Sequence, residues 1–382
     1  MAENELTNLR ESINTLDDQI LELFVKRMET ASRVANYKRA NGLRVENYAR
    51  EREILARVTD RAGEGMEQYS RVLFSTLFNV SRSYQRKLVG YGSELTDEIR
   101  QSLETTPKLF PEKAVVACQG MEGSYSQQTC DKLFSLPTIL YFNRFEGVFS
   151  AVEKGLCRYG ILPIENSTYG SVTEVYDLMK KYRFHIVRSY KLRIRHVLMA
   201  NPKATLSGIR EIYSHEQALG QCGEFIKSLK DVKVNVCANT AEAAKMVADS
   251  GRTDIAAIAS RECLDLYGLA ALKEGISDTD GNFTRFICIA KPMEIYPGAD
   301  KISLMLSMDH KPGSLYEVLA KFASLGVNLS KIESRPMVGG DFEFMFYFDI
   351  DASIYSEDVM TLLADLKSSQ PQFTFLGAYT EH

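Results

Sequence analysis

Residues 5–41 contain neither Gly nor Pro. Within them Leu6, Leu9, Ile13, Leu16, Ile20, Phe24, Ala31 and Val34 recur at helical spacing, which predicts one uninterrupted amphipathic helix. At about 1.5 Å per residue such a helix runs about 50 Å, more than one small domain can cover. The pattern therefore predicts an intertwined helical dimer. Two more helices are expected over residues 47–61 and 65–88, and residues 90–113, with Thr-Thr-Pro and Phe-Pro, read as a linker.

Basic residues interrupt the apolar face of the first helix. At 100° per residue Arg27 and Lys38 project into its middle, and Arg10 lies at its edge. Buried cations require partners. Either they snorkel or pair with acids such as Glu51, Glu53 and Asp60, or they line a pocket in the bundle with Arg50, Ser81 and Gln85. The second reading suits a small dicarboxylate, because guanidinium groups grip carboxylates bidentately.

The net charge of −4 gives no footing for a nucleic acid partner or an anionic membrane surface. No apolar run reaches the length of a membrane span, and the acidic start does not resemble a secretory signal. The seven cysteines never form a CxxC pair, and their apolar settings read as reduced core residues. The histidines show no ligand spacing. A cytoplasmic chain with no cofactor and no metal is expected.

From residue 113 the period changes. Strand-length apolar runs at 114–118, 159–164, 196–200, 210–213, 233–236, 254–259 and 286–290 alternate with helical patterns, predicting a two-lobed α/β region of mostly parallel strands. One run delivers Glu165 and Asn166 into a loop of small polar residues. Three helix starts carry capping patterns: Ser124 with Gln127, Ser171 with Glu174, and Ser214 with Gln217. Helix N-termini favour anions, so three after strands argue for a polyanionic small molecule. Thr284 and Arg285 add a hydroxyl and a guanidinium at the start of the last strand. His196 and His215 read as structural. There is no P-loop, no G-x-G-x-x-G and no Ser-His-Asp order, so covalent, nucleotide or nicotinamide chemistry has no support.

After residue 300 the pattern is strand, helix, strand, a hairpin turn at Gly339 and Gly340, strand, helix, strand. That βαββαβ order is ferredoxin-like.

Taken together these residues resemble the bifunctional chorismate mutase–prephenate dehydratase family. The first 90 residues are similar to all-helical chorismate mutases through Leu9-Arg10, Arg27, Lys38, Arg50-Glu51-Arg52-Glu53 and Ser81 with Gln85. The centre is similar to prephenate dehydratases through Gly123-Ser-Tyr-Ser, Pro163-Ile-Glu-Asn-Ser, Tyr213-Ser-His, Gln221-Cys222 and Asn282-Phe-Thr-Arg-Phe. The remainder is similar to ACT regulatory domains through Pro312-Gly-Ser-Leu and Glu333-Ser-Arg-Pro.

The resemblance implies a mutase domain over 1–92, a linker over 93–112, a dehydratase domain with a type II binding-protein-like fold over 113–292, and an ACT domain over 300–382. It implies that Arg10 from a second copy, Arg27 and Arg50 hold the carboxylates of chorismate. Lys38 and Gln85 donate to the ether oxygen, while Asn47, Glu51 and Ser81 orient the ring and its hydroxyl. In the dehydratase, Thr284 contacts the departing hydroxyl of prephenate and Glu165, raised in pKa by burial, supplies the proton. Asn166, Ser167, Ser214, Gln221 and Arg285 position the carboxylates and keto group. The effector L-phenylalanine binds Gly313, Ser314, Leu315, Asn328, Glu333, Ser334, Arg335 and Pro336 at a homodimer interface, with a tetramer left open. Asn47 stands where the bacterial enzymes carry Asp, and Ser314 where Ala is usual. Weakened mutase activity and altered effector affinity are the expected consequences. Rival readings are a degenerate mutase lobe, a non-catalytic amino-acid sensor, and arogenate as the dehydratase substrate.

Overall fold

The computed structural model describes residues 2–43, 45, 47–89, 94–310, 312–336 and 344–382, with the backbone alone for Ala2 and Glu3. By packing, the chain divides into two compact units. One comprises residues 1–98, 306–346 and 354–373; the other comprises 99–305, 347–353 and 374–382.

The first unit begins with three helices: α1 (Ala2–Ala40), α2 (Tyr48–Arg61) and α3 (Glu67–Val89). The Oδ1 atom of Asn47 caps α2 by accepting from the Arg50 backbone N–H at 3.1 Å, which satisfies one of the helix's orphan donors. α1 and α2 both pack on α3, but only the second half of α1 is covered, with Ala31 and Ala35 buried. Leu6, Leu9, Ile13, Leu16 and Ile20 stay 49–61% exposed. The predicted stripe is thus present and, along its first half, open.

The expected linker folds instead. Residues Glu94–Thr105 form α4, because Leu95 and Ile99 sit four apart on one face and are both buried. Ser102 then donates to the Met293 carbonyl at 3.0 Å, and Phe110 packs its ring on Phe134, Tyr159 and Tyr296.

The α/β region continues through β1 (Lys113–Gln119), α5 (Tyr125–Leu133), β2 (Leu136–Phe142), α6 (Phe145–Glu153), β3 (Tyr159–Asn166), β4 (Gly170–Ser171), α7 (Thr173–Tyr182), β5 (His185–Arg193) and β6 (His196–Ala200). It goes on with β7 (Glu211–Ser214), α8 (Glu216–Gln221), α9 (Gly223–Ser228), β8 (Lys233–Val236), α10 (Thr240–Ser250), β9 (Ile255–Ser260), α11 (Glu262–Tyr267), β10 (Ala270–Lys273) and β11 (Phe283–Ala290).

Two sheets result, ordered β2-β1-β3-β11-β5 with β4 on β3, and β10-β6-β9-β7-β8. They are the two expected lobes. The expectation of mostly parallel strands is corrected: β11 runs antiparallel to both β3 and β5, and β6 antiparallel to both β9 and β10. The chain crosses between lobes twice, after β5 and after β10, and a strand that returns from the other lobe arrives reversed. All seven cysteines are free, and all but Cys237 are buried.

The C-terminal elements are β12 (Lys301–Ser307), α12 (Ser314–Ser324), β13 (Asn328–Pro336), β14 (Phe344–Asp351), α13 (Glu357–Ser369) and β15 (Gln372–Tyr379), with strands ordered β13-β14-β12-β15. The predicted turn at Gly339 and Gly340 lies outside the described residues. In the second unit Gly377, at φ +145°, lies so close to β5 that a Cβ there would stand 2.2 Å from the Ile186 carbonyl oxygen. In the first unit α13 packs on α3, where buried Asp365 pairs with Arg86 and with Lys321. Among the described residues no helix is long and apolar enough to cross a membrane.

Candidate active sites

A cleft of about 170 Å³ lies in the second unit, at the ends of strands from both sheets. Among the described residues four helix N-termini reach it: Ser124 to Ser126 of α5, Phe145 of α6, His215 and Gln217 of α8, and Asn239 and Thr240 of α10. Ser124 and Asn239 cap their helices by accepting from the Gln127 and Glu242 backbone N–H groups at 3.4 and 2.8 Å. No Lys, Arg, Asp or Glu lines the cleft among the described residues. An anion held here meets uncharged donors only.

One hydrogen-bond chain runs through the cleft, and its direction is fixed at one end. The Thr168 and Tyr169 backbone N–H groups both donate to Asn166 Oδ1 at 3.0 Å. Its Nδ2 must therefore face the other way, and it donates to Asn282 Oδ1 and Thr284 Oγ1, each at 2.9 Å. Since Thr284 accepts that bond, its own proton is free to donate elsewhere. Gln221 Nε2 also donates to Asn166 Oδ1, at 3.4 Å, which turns Oε1 toward His196 Nε2 at 2.8 Å. With that amide orientation the imidazole carries its proton on Nε2, and its Nδ1 lies 3.1 Å from the Tyr125 hydroxyl, whose one proton is shared with the Arg195 carbonyl at 2.9 Å. Burial lowers the pKa of His196 and holds the Tyr125 phenol far above its ordinary value, so both groups are neutral.

Several expected residues lie elsewhere. Thr284 and Arg285 are consecutive on β11, as Glu165 and Asn166 are on β3, and successive strand side chains point to opposite faces. Thr284 and Asn166 line the cleft; Arg285 and Glu165 do not, and they approach each other at 3.9 Å. Ser214 spends its hydroxyl on the Ile258 carbonyl. Ser167 donates to the Gly281 carbonyl at 3.0 Å and accepts from the Phe283 N–H at 2.9 Å, so it pins a loop. Ser171 does not open a helix: it lies in β4, and α7 starts after Val172 with no side-chain cap. His215, not Ser214, caps α8, through Nδ1 accepting from the Gln217 N–H at 3.3 Å.

In the helical region, Arg27 is half-buried, donates to the Leu77 carbonyl at 3.4 Å and lies over the Phe78 ring. Burial lowers its pKa, and the charge of Glu51 opposes that shift. Glu51 also pairs with Arg82, a residue the sequence reading missed. Ser81 and Gln85 are buried one turn apart on α3, with Gln85 Nε2 donating to Ser81 Oγ at 3.2 Å and Oε1 lacking a partner among the described residues. Lys38 is half-buried and donates to the Val45 carbonyl at 2.6 Å. Arg10, Asn47 and Arg50 are exposed, and Arg50 pairs with Glu53. Arg10 lies 17 positions from Arg27 on α1, about 26 Å along the helix, so the structure does not bring those two together within one chain.

Residues 9–86 match the chorismate mutase type II family and residues 116–294 the prephenate dehydratase family. The bifunctional chorismate mutase/prephenate dehydratase of Escherichia coli (strain K12) is 30% identical over 386 residues, covering 99% of this chain and 97% of that protein. The chain belongs to the bifunctional chorismate mutase/prephenate dehydratase family. Arogenate dehydratase 2 of Petunia hybrida is 37% identical over 281 residues, 69% of this chain and 71% of its own. A solved prephenate dehydratase from Arthrobacter aurescens, in complex with L-Phe, superposes with a TM-score of 0.64 at 30% identity, covering 70% of this chain and 89% of that one.

Beyond the two family segments, the expected effector residues are divided by β13. Gly313 precedes α12 at φ +89°, and Ser314 Oγ is enclosed with no hydrogen-bond partner among the described residues. Along β13, Asn328, Ser334 and Pro336 are exposed on one face, while Glu333 and Arg335 are half-buried on the other. Ile332 and Leu315 are exposed.

Proposed function

We propose that the chain rearranges chorismate to prephenate in its helical region, converts prephenate to phenylpyruvate in the two-lobed cleft, and is restrained by L-phenylalanine at its C-terminal ferredoxin-like (ACT) domain. The domain bounds that go with this reading are 1–92, 113–292 and 300–382, with residues 99–112 packed into the dehydratase rather than loose between domains.

The observation that carries the dehydratase role is the Asn166–Thr284 bond. It spends a lone pair of Thr284 and leaves the O–H free to donate to the hydroxyl leaving C4 of prephenate. Aromatisation of the ring supplies the driving force. The ring carboxylate, shielded from water where no Lys or Arg lines the cleft among the described residues, is poorly stabilised as an anion and leaves as carbon dioxide. Glu165 has no part in this scheme, because it faces away from the cleft.

The mutase step is a Claisen rearrangement and needs neither nucleophile nor proton transfer. Catalysis consists of holding the compact conformer and donating to the breaking ether oxygen. Turning the Gln85 amide over lets the Ser81 hydroxyl donate to Oε1 and frees Nε2 for that oxygen. Lys38 is the second donor. Arg27 and Arg50 take the carboxylates, with Arg10 supplied by a second copy laid along the open stripe of α1. Asn47 caps α2 and keeps its Nδ2 for the ring hydroxyl. The exposed apolar side chains of that stripe and of Leu315 and Ile332 support a homodimer that also completes the effector site.

Arogenate is a second substrate reading, supported by the identity to the plant arogenate dehydratase. Incubating the purified chain with chorismate, with and without phenylalanine, tests the main reading. Phenylpyruvate should accumulate, and less of it when phenylalanine is present. Unchanged chorismate together with unchanged prephenate would refute both activities. Faster turnover of arogenate than of prephenate would replace one substrate by the other.

A further inference from the structure

Arg285 is 7% exposed on the face of the sheet opposite Thr284. Its guanidinium meets Asp349 of β14 at 2.6 Å, with Glu381 at 3.8 Å and Glu165 at 3.9 Å. Asp349 is itself buried and accepts from the Ser303 hydroxyl of β12, which lies 2.7 Å from the Tyr379 hydroxyl of β15. All of these residues belong to one compact unit. Burial works against the charge of Arg285, and the carboxylate of Asp349 offsets it, holding the guanidinium protonated.

The backbone explains why that anchor has work to do. Between Arg285 and Phe286 the pairing of β11 with β3 slips by one residue: Arg285 faces Glu165 but Phe286 faces Pro163, which makes Ile164 the extra residue and β3 the bulged strand. A slip of this kind bends a strand and re-aims its side chains. It separates the Thr284–Asn166 pair from the regular ladder on β3. The residues flanking that pair turn to the other face, Arg285 into the buried cluster and Glu165 to its partly exposed edge.

We propose that Asp349 is a positioning residue for the dehydratase reaction: by gripping Arg285 it fixes β11 against the bulged β3 and so aims the Thr284 hydroxyl into the cleft. A strand of the C-terminal sheet thereby governs turnover in a cleft that it does not line. The inference rests on the dehydratase reading of the cleft.

The test uses the full-length chain without effector. Asp349→Asn keeps the size of the side chain and removes the charge that holds the guanidinium. The expected result is a fall in kcat for prephenate of about 10- to 100-fold, with KM changed by less than about threefold and the chorismate rate unchanged. An Asp349→Asn protein that is folded and keeps wild-type kcat overturns the proposal. Should that variant not fold, Arg285→Met combined with Asp349→Met replaces the buried pair by apolar volume, which cores commonly tolerate. A folded double variant should still show the low kcat; recovery to the wild-type value would mean that the pair only stabilises the fold, and would overturn the proposal. A wild-type chain inert toward prephenate would instead refute the reading of the cleft.

Discussion

Thr284 and Lys38 are both candidate donors to a breaking C–O bond, yet they stand in opposite surroundings. Around Thr284 the neighbours Asn166, Asn282, Gln221 and His196 are buried and bonded to one another within one chain. Around Lys38 one neighbour is the Val45 carbonyl, while Arg10 lies at the far, exposed end of the same helix. The cleft is assembled from strand ends and helix caps, so it is complete once the two lobes have folded. A site on one long helix is complete only when something covers that helix. Substitutions should therefore act locally in the first region and through assembly in the second.

The largest effects fall on the donors. Thr284→Val keeps the shape and removes the O–H, and dehydration of prephenate should fall about 1,000-fold. Lys38→Ala should lower the chorismate rate about 100-fold. Each should leave the other activity at its wild-type value, measured on the same preparation. If either substitution removes both activities, the two regions are not independent and the contrast fails.

A charge placed in the open stripe separates the regions by assembly. Ile20→Glu would bury an unpaired carboxylate on association, at a cost of several kcal/mol. Sedimentation should show a smaller particle, and the chorismate rate should drop at least about 10-fold because Arg10 no longer arrives from a second copy. Dehydration per chain should be unchanged. A monomer with full mutase activity would refute the second-copy reading of Arg10.

The same contrast explains what could be read from the residues alone. The period-3.6 pattern of α1 is plain because one face of a long helix is a long signal, and its length of about 50 Å is what makes a dimer the natural inference. Thr284 and Asn166 are legible as polar residues at strand ends, whereas Gln221 enters only through the family resemblance. Arg285 and Glu165 fall outside the cleft by a rule that the sequence does carry: neighbours on a strand cannot share a face. The capping pattern selected Ser171, which lies in a short strand, and passed over Asn239 with Glu242, which fits the same rule and caps α10 in the cleft. Asp349 could not have been found this way. Nothing local ties it to Arg285, 64 positions earlier, and only the folded sheets bring the pair together.

A smaller effect should appear with pH. Burial lowers the pKa of His196 below its ordinary 6.5, so the unfolded chain takes up a proton that the folded site resists. The sign follows directly: stability is full above about pH 6.5 and is lost as pH falls toward the depressed folded value, by about 1.4 kcal/mol for each unit separating the two. His185 and His215 are shifted the same way, so His196→Gln should reduce this acid sensitivity without abolishing it. Urea midpoints at about pH 7.5 and 5 for both proteins measure the difference. An equal loss in the two would mean that His196 does not resist protonation and that the neutral chain through the cleft is wrong.

The smallest effect probes whether α10 belongs to the site or only to the scaffold. Asn239 caps that helix and also lines the cleft. Asn239→Ala should cost about 1 kcal/mol of stability, a structural consequence expected under either view. Asn239→Asp separates them, because aspartate caps as well as asparagine and complements the helix dipole. The fold should therefore keep its stability, while a carboxylate now occupies the end of the helix where an anionic substrate would sit. If α10 helps hold prephenate, KM should rise about threefold or more in Asn239→Asp through like-charge repulsion, with the melting temperature unmoved and the chorismate rate untouched. An unchanged KM would remove α10 from the binding site and leave the anion to α5, α6 and α8, and the cleft would then be completed by fewer elements than its geometry implies.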